Sequence, residues 1–280
     1  MTTIAVTGAS GQLGRLALAA LAARGLAPVA LARSPGKLAG LGLEVRAFDY
    51  TAPDVAALAG VEVLVLISSS DFNDRAGQHA RVIRAAQAAG VGRVIYTSIL
   101  KGDASPMLLA QDHIATEAAL KASGLTCTIL RNGWYLENLT GSIGPALAHG
   151  AVIGAAGEGR FSAAARADFA EAIAVTAATG GHEDAVYELA GDSAFSMAEF
   201  AAELGRQTGK PMRYDSLPEA SYAEILIGFG LPEGFARVLA DSDAWAAKGA
   251  LQDDSGTLSR LIGRPTTPAA EAIAQALAAL

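Results

Sequence analysis

Residues 4–14 read IAVTGASGQLG, and this stretch decides the architecture. An apolar run, Ile4-Ala5-Val6, leads into three glycines spaced G-x-x-G-x-x-G, and an Ala/Leu-rich segment of helical periodicity follows. A strand that turns through glycines into a helix presents backbone N–H groups and the positive end of a helix dipole, a setting suited to a pyrophosphate. Gly8 permits the tight turn, Gly11 admits phosphates without a Cβ, and Gly14 lets the helix pack close to the sheet. The triplet alone also describes an ordinary flexible turn. The strand before it, the helix after it and the alternation beyond it favour a nucleotide.

Short β-branched runs then alternate with Ala-rich helical segments. Strands are expected at 3–7, 28–32, 44–48, 61–67, 93–97 and 126–131. Helices are expected from Gln12 to Arg24, Arg75 to Ala89 and Gln111 to Ala122, stopped by Gly25, Gly90 and Gly124. This pattern predicts an α/β fold, a doubly wound parallel sheet of Rossmann-like type with a smaller α-rich C-terminal lobe. After Arg131 the pattern is less regular: a helical segment at 137–149, a Gly-rich loop VIGAAGEGR at 152–160, a helix from Asp168 to Thr179 and a strand from Val186 to Leu189. Ser196 and Glu199 form a capping box before a further helix, and Pro211, Pro218, Pro232, Pro265 and Pro268 punctuate short ones. The expected division is a nucleotide-binding domain over 1–150, rejoined by the strand near 185–191, and a substrate-binding lobe over 151–280 with an interleaved boundary.

Composition removes several classes of function. Of 280 residues 51% are apolar, but no run of about 18 residues is both strongly apolar and free of charge, so no membrane span is expected. The net charge of −7 argues against a nucleic-acid binder. The single cysteine, Cys127, excludes an intrachain disulfide and reads as a buried strand residue. His79, His113, His149 and His182 lack the spacing of a zinc site, so no metal is expected. Met1-Thr2-Thr3 leads straight into a strand with no secretory signal, which makes the cytoplasm the expected location.

The end of the second strand bears on which nucleotide is bound. An acidic residue there would hold the ribose 2′-OH of NAD, whereas this chain reads Leu31-Ala32-Arg33-Ser34. Arg33 can stack on adenine and fork onto a 2′-phosphate, which favours NADP; the alternative is a solvated surface arginine. Asp49, ending the third strand, suits the adenine region. Ser68, Ser69 and Ser70 fall at the carboxyl edge of the fourth strand, where a cofactor passes, or simply begin a polar loop.

A dehydrogenase of the ordinary short-chain type carries Tyr-x-x-x-Lys, in which the lysine lowers the tyrosine pKa for proton transfer. Here Tyr96 is followed by Lys101, one position too late. Ser98 keeps the place of the usual serine without those partners, which leaves it a contact to substrate or cofactor. His113, on the helix entering the sixth strand, is a candidate proton donor or ribose contact titrating near neutrality, or a histidine that merely packs. At the carboxyl end of that strand, Arg131-Asn132-Gly133-Trp134-Tyr135-Leu136-Glu137-Asn138 can frame a flat ring and fix its carbonyl oxygen with amide donors; core aromatics plus a helix cap is the other reading.

With these residues assembled, the chain resembles the NmrA-like group of atypical short-chain dehydrogenases/reductases, and within it the bacterial type 2 NAD(P)H:quinone oxidoreductases. The resemblance runs over essentially the whole chain. Its carriers are TGASGQLG, the Arg33 turn, LISSS at 66–70, YTS at 96–98, LRNGWYLEN at 130–138, IGAAGEGR at 153–160, RADFAEA at 166–172, YELAGDSAFS at 187–196 and LIGRPTT at 261–267. It implies NADPH as hydride donor, a small quinone as acceptor and no flavin, with a homodimer among the assemblies open to such a chain. By motif, Gly8, Ala9, Ser10, Gly11, Gln12, Leu13, Arg33, Ser68, Ser69, Ser70, Asn132, Gly133, Trp134, Tyr135, Leu136 and Glu137 would line the cofactor site, with Arg166 nearby. Tyr135, Asn138 and His113 would face the substrate. The group also includes regulators that bind NADP(H) without turning it over, and the missing Tyr-x-x-x-Lys pair is compatible with that role. An isoflavone-reductase-like or epimerase enzyme would want a lysine where His113 stands.

Overall fold

β1 (Ile4–Val6), α1 (Gln12–Ala23), β2 (Val29–Ala32), β3 (Val45–Ala47), β4 (Val63–Leu66), α2 (Arg75–Ala88), β5 (Arg93–Ile99), α3 (Ala110–Ser123) and β6 (Thr126–Asn132) alternate along the first half of a computed structural model that describes residues 2–280. There follow α4 (Leu136–Thr140), α5 (Ile143–His149), β7 (Ala151–Gly154), β8 (Arg160–Phe161), α6 (Arg166–Ala178), β9 (Val186–Leu189), β10 (Phe195–Ser196), α7 (Met197–Thr208) and β11 (Arg213–Ser216). Four helices come last: α8 (Glu219–Gly228), α9 (Glu233–Ala246), α10 (Thr257–Ile262) and α11 (Ala269–Ala278).

The main sheet has the order β3-β2-β1-β4-β5-β6-β9, and the ladders joining β1 to β6 are parallel. Strand order reverses between β1 and β4, which opens a crevice beyond their carboxyl ends. Successive strand residues point to opposite faces. Leu31, Leu64, Leu66, Val94 and Tyr96 therefore share one core with Val82, Ile83 and Ala86 of α2 and Leu120 of α3. Across the sheet, α1 packs on α6, and Arg24 pairs with Glu171 at 3.2 Å. Coverage of both faces explains why β1, β2, β4 and β5 are buried along their whole length.

Two compact units divide the chain. The first comprises Met1–Gly102, Asp112–Asn132 and Arg166–Tyr187; the second comprises Asp103–Gln111, Gly133–Ala165 and Glu188–Leu280. Within the second, the helical segment expected at 137–149 is two helices. Pro145 has no N–H and its ring clashes with the carbonyl four residues back, so no helix runs through Gly141-Ser142. The stretch 152–160, expected as a loop, begins instead inside β7, which pairs in parallel with β11 from Ala151↔Arg213 to Gly154↔Ser216. A Cβ on Gly154 would lie 2.7 Å from Asp243 Oδ2 and 3.1 Å from the Tyr214 hydroxyl, so this strand closes tightly on its neighbours. The capping box opens α7 as expected: Glu199 N–H donates to the Ser196 hydroxyl at 3.2 Å, and Ser196 N–H to the Glu199 carboxylate at 2.7 Å. Pro218, Pro232 and Pro268 stand immediately before α8, α9 and α11.

Candidate functional site

A cleft of about 780 Å³ lies in the first unit and takes in the crevice beyond β1 and β4. Gly8, Ser10, Gly11, Gln12, Leu13 and Gly14 form one side of it. Gly8 has φ +59°, a left-handed conformation that most side chains resist. A Cβ on Gly11 would touch only the Gly8 carbonyl, at 3.1 Å, so the space beyond it stays open to a ligand. A Cβ on Gly14 would overlap the Gly8 carbonyl oxygen and stand 2.8 Å from Ala9 Cα. Gly14 is thus required for the helix to approach the loop, where the sequence suggested the sheet. No side chain caps α1 at Gly11, which leaves the first-turn amides to a ligand. These features fit a dinucleotide pyrophosphate.

Two hydroxyls brace the floor. Thr7 Oγ1 donates to the Val65 carbonyl at 3.0 Å and accepts Ile67 N–H at 3.0 Å. The Tyr50 hydroxyl sits between Thr7 Oγ1 at 2.5 Å and the Ile67 carbonyl at 2.7 Å. Burial pushes the Tyr50 phenol up, although the Thr7 contact opposes this, so the group stays protonated. These contacts tie β1 to β4 across the point where the strand order reverses.

Arg33, Ser34 and Lys37 line the cleft together with Asp49. The Asp49 carboxyl is held below its ordinary value chiefly by Thr51 N–H, then by the Thr51 hydroxyl, with the charge of Arg33 adding to this against burial. Two exposed cations four positions apart after β2 can take a 2′-phosphate. Lys37 adds a second cation to Arg33, and neither it nor Tyr50, which also lines the cleft, sits in a sequence motif that would single it out.

The opposite wall is Ser68, Ser69, Ser70, Asp71 and Gln78. Ser69 is fixed at every polar atom. Its N–H donates to His79 Nε2 at 2.9 Å, its hydroxyl to Gln78 Oε1 at 2.7 Å, and its carbonyl accepts Arg75 Nε–H at 2.6 Å. Its hydroxyl also accepts Asp71 N–H at 3.1 Å, and Gln78 Nε2 donates to Asp71 Oδ2 at 2.6 Å. Arg75, Gln78 and His79 lie on one face of α2 at i, i+3 and i+4, so one helical turn holds the serine loop.

The first unit's cleft gathers Gly8, Ser10 to Leu13, Arg33, Ser68 to Ser70 and Arg166. Ala9 is fully buried behind the loop, its N–H on the Leu31 carbonyl at 3.2 Å. Asn132 ends β6, while Gly133 to Asn138 belong to the second unit. There Gly133 N–H donates to the Leu189 carbonyl at 2.7 Å, and a Cβ on it would stand 3.0 Å from that oxygen. Trp134 is buried, Tyr135 half-buried and Asn138 exposed.

His113 is buried on α3, with Nδ1 2.8 Å from the Tyr96 hydroxyl. The expectation that it titrates near neutrality is corrected. Burial first, then the charge of Arg75 and the neighbouring His79 imidazole, push its pKa down to about 3, so the imidazole is neutral at physiological pH. Ser98 is likewise committed: it donates to Glu117 Oε1 at 2.5 Å. Glu117 in turn holds Arg131 by Nε at 3.0 Å and Nη2 at 2.7 Å. Among the described residues no cluster of His, Cys, Asp and Glu could hold a metal ion, and no helix is long and apolar enough to cross a membrane.

A family model described as NAD(P)H-binding matches residues 8–187. Quinone oxidoreductase 2 of Escherichia coli strain K12 is 52% identical over 277 residues, 96% of this chain and 97% of that protein. An NAD(P)H azoreductase of Xenophilus azovorans is 30% identical over 275 residues, covering 96% of each. Among solved structures, an NADPH-dependent quinone oxidoreductase of Escherichia coli complexed with NADPH superposes with a TM-score of 0.94 at 50% identity, covering 98% of this chain and 100% of that one. The triphenylmethane reductase of Citrobacter sp. complexed with NADP(H) gives 0.91 at 32% identity, covering 98% and 100%.

Proposed function

The chain belongs to the NAD(P)H-binding family, in the branch that includes quinone oxidoreductase 2, and from that premise we infer that it is an NADPH-dependent quinone oxidoreductase. The near full-length identity of 52% carries the inference, and the glycine cradle fits the cofactor. When bound, NADPH supplies a hydride, which a quinone accepts as two electrons in one step. We propose that this transfer is direct and needs no flavin, since a two-electron donor and a two-electron acceptor require no intermediate carrier.

The chain's own residues then have the work of binding and orientation. Gly8 to Leu13 hold the pyrophosphate, Arg33 with Lys37 takes the 2′-phosphate, and the fixed Ser68 to Ser70 loop and Arg166 complete the cofactor contacts. The contacts proposed for Asn132 to Glu137, and for Tyr135, Asn138 and His113 with the quinone, rest on the motifs that carry them. On the same ground we assign substrate recognition to the second unit, which contains Tyr135 and Asn138. A neutral His113 can donate a hydrogen bond to a quinone oxygen, and water supplies the proton. A cytoplasmic location suits this reading, because NADPH is kept reduced there.

Mixing the protein with NADPH and a benzoquinone or naphthoquinone should give quinone-dependent loss of absorbance at 340 nm. Tight NADPH binding without turnover across a quinone panel would instead identify a cofactor-sensing regulator.

A further inference from the structure

Beneath the serine wall, α2, α3 and β5 bring together a set of buried polar groups that cofactor binding alone does not use. Ser69 N–H donates to His79 Nε2, so that nitrogen carries the lone pair and the His79 proton sits on Nδ1. Thr116 gives its hydroxyl proton to the Asp112 carbonyl at 2.7 Å and accepts from His79 Nδ1 at 2.9 Å. The Tyr96 hydroxyl lies 3.5 Å from the same Nδ1 and 2.8 Å from His113 Nδ1. With an N–H facing it from His79, the phenol accepts on that side; its other neighbours are Thr116 and, at 2.8 Å, His113 Nδ1, and its donation is assigned to the short contact with His113.

We propose that Tyr96 is a positioning residue that holds His113 as the neutral Nε2–H tautomer, making the imidazole a fixed hydrogen-bond donor to the quinone rather than a source of protons. The proposal rests on the quinone-reduction reading. Reduction to the quinol takes up one hydride and one proton. The electron pair displaced onto a quinone oxygen is met by a donor already in place, and the proton follows from water. Preorganised donors of this kind lower the barrier because nothing has to reorient as charge develops.

The charges around the pair favour the same state. Arg75 is 4% exposed, and its Nη1 has no hydrogen-bond partner. Its closest carboxylate contact there, Asp112 Oδ2, is 3.9 Å away. Glu117, which also faces Tyr96, is engaged by Arg131 and Ser98. An incompletely neutralised guanidinium therefore stands beside both histidines, and with burial it pushes His79 and His113 down to about 3. Tyr96 is pushed up by burial and keeps its proton. None of the three groups changes charge between pH 5 and 9.

The test is the ¹⁵N spectrum of the histidine-labelled, unliganded protein, which reads tautomers without any reaction. His113 should show the Nε2–H pattern, unchanged from pH 5 to 9. In Tyr96→Phe it should become a tautomer mixture, with kcat for quinone reduction lowered about tenfold, the order expected for one lost hydrogen bond, and KM for NADPH unchanged. His113→Gln, which keeps an N–H donor, should retain several times the activity of His113→Leu, whereas a purely packing role would cost both alike. A wild-type spectrum of the Nδ1–H form, or a His113 titration between pH 5 and 8, would overturn the proposal even if Tyr96→Phe does not fold. An active wild type whose His113→Leu variant is equally active would also overturn it. Absence of quinone turnover in the wild type would sink the functional reading and leave the spectrum to judge the tautomer.

Discussion

Arg33 and Lys37 are exposed cations in the cleft lining, and Asp49, kept ionised by its two Thr51 hydrogen bonds at 2.9 Å and by the charge of Arg33, is an acidic neighbour there. A 2′-phosphate completes this arrangement with charge-assisted bonds worth roughly 1.5–3 kcal/mol, or about ten- to a hundredfold in affinity. Arg33→Asp should weaken NADPH binding by about that factor and leave NADH nearly unchanged, as titration calorimetry with both nucleotides would read. Equal loss of both would mean that Arg33 supports the loop and not the phosphate. Because both cations are exposed, the preference for NADPH should also shrink as salt is raised. His113 illustrates the opposite case: its environment, not the ordinary titration range of an imidazole, determines what it can do at neutral pH.

The β1-loop-α1 element separates two roles that glycine serves. Gly14 is enclosed by backbone, so a Cβ there forces the chain to move, whereas Gly11 faces only one carbonyl and the open cleft. Gly14→Ala should lower stability by about 1–3 kcal/mol, the usual cost of overpacking, and should lose NADPH with it. Gly11→Ala should melt within a degree or two of wild type while binding NADPH far less well. Circular-dichroism melts with fluorescence titration would read both. A Gly14→Ala melt equal to wild type would contradict the packing described. The serine wall follows the same principle at the level of a helix, since one turn of α2 fixes each polar atom of Ser69.

Over the whole molecule, a ligand that binds only the folded state stabilises by about 2.7 kcal/mol at a hundredfold excess over its Kd. NADPH should therefore raise the melting temperature by several degrees, and NADH at the same concentration should raise it less. Equal shifts would argue against a 2′-phosphate site. The net charge is −7, yet the cleft lining sets Arg33, Lys37 and Arg166 against Asp49 and Asp71, so the seat for an anion is locally basic within an acidic protein.

What the sequence by itself determined is local. Hydrophobic periodicity set the strand and helix order, the glycine spacing set the turn, and Arg33 after β2 pointed to NADP, because each depends on neighbours a few residues away. The breaks at Pro145 and in β7 were partly hidden, since a strand such as Ala151–Gly154 forms only when a partner more than sixty residues later lies beside it. Tertiary structure alone decided the chemistry of the polar groups. Ser98 was readable as a substrate or cofactor contact until Glu117 accepted its hydroxyl hydrogen bond, and His113 as a titrating acid until burial, Arg75 and His79 fixed it neutral. Tyr50 became a brace only where Thr7 and Ile67 met it. A side chain's type and spacing state what it can donate or accept; its protonation and partners depend on burial and on charges that the fold brings together from distant parts of the chain.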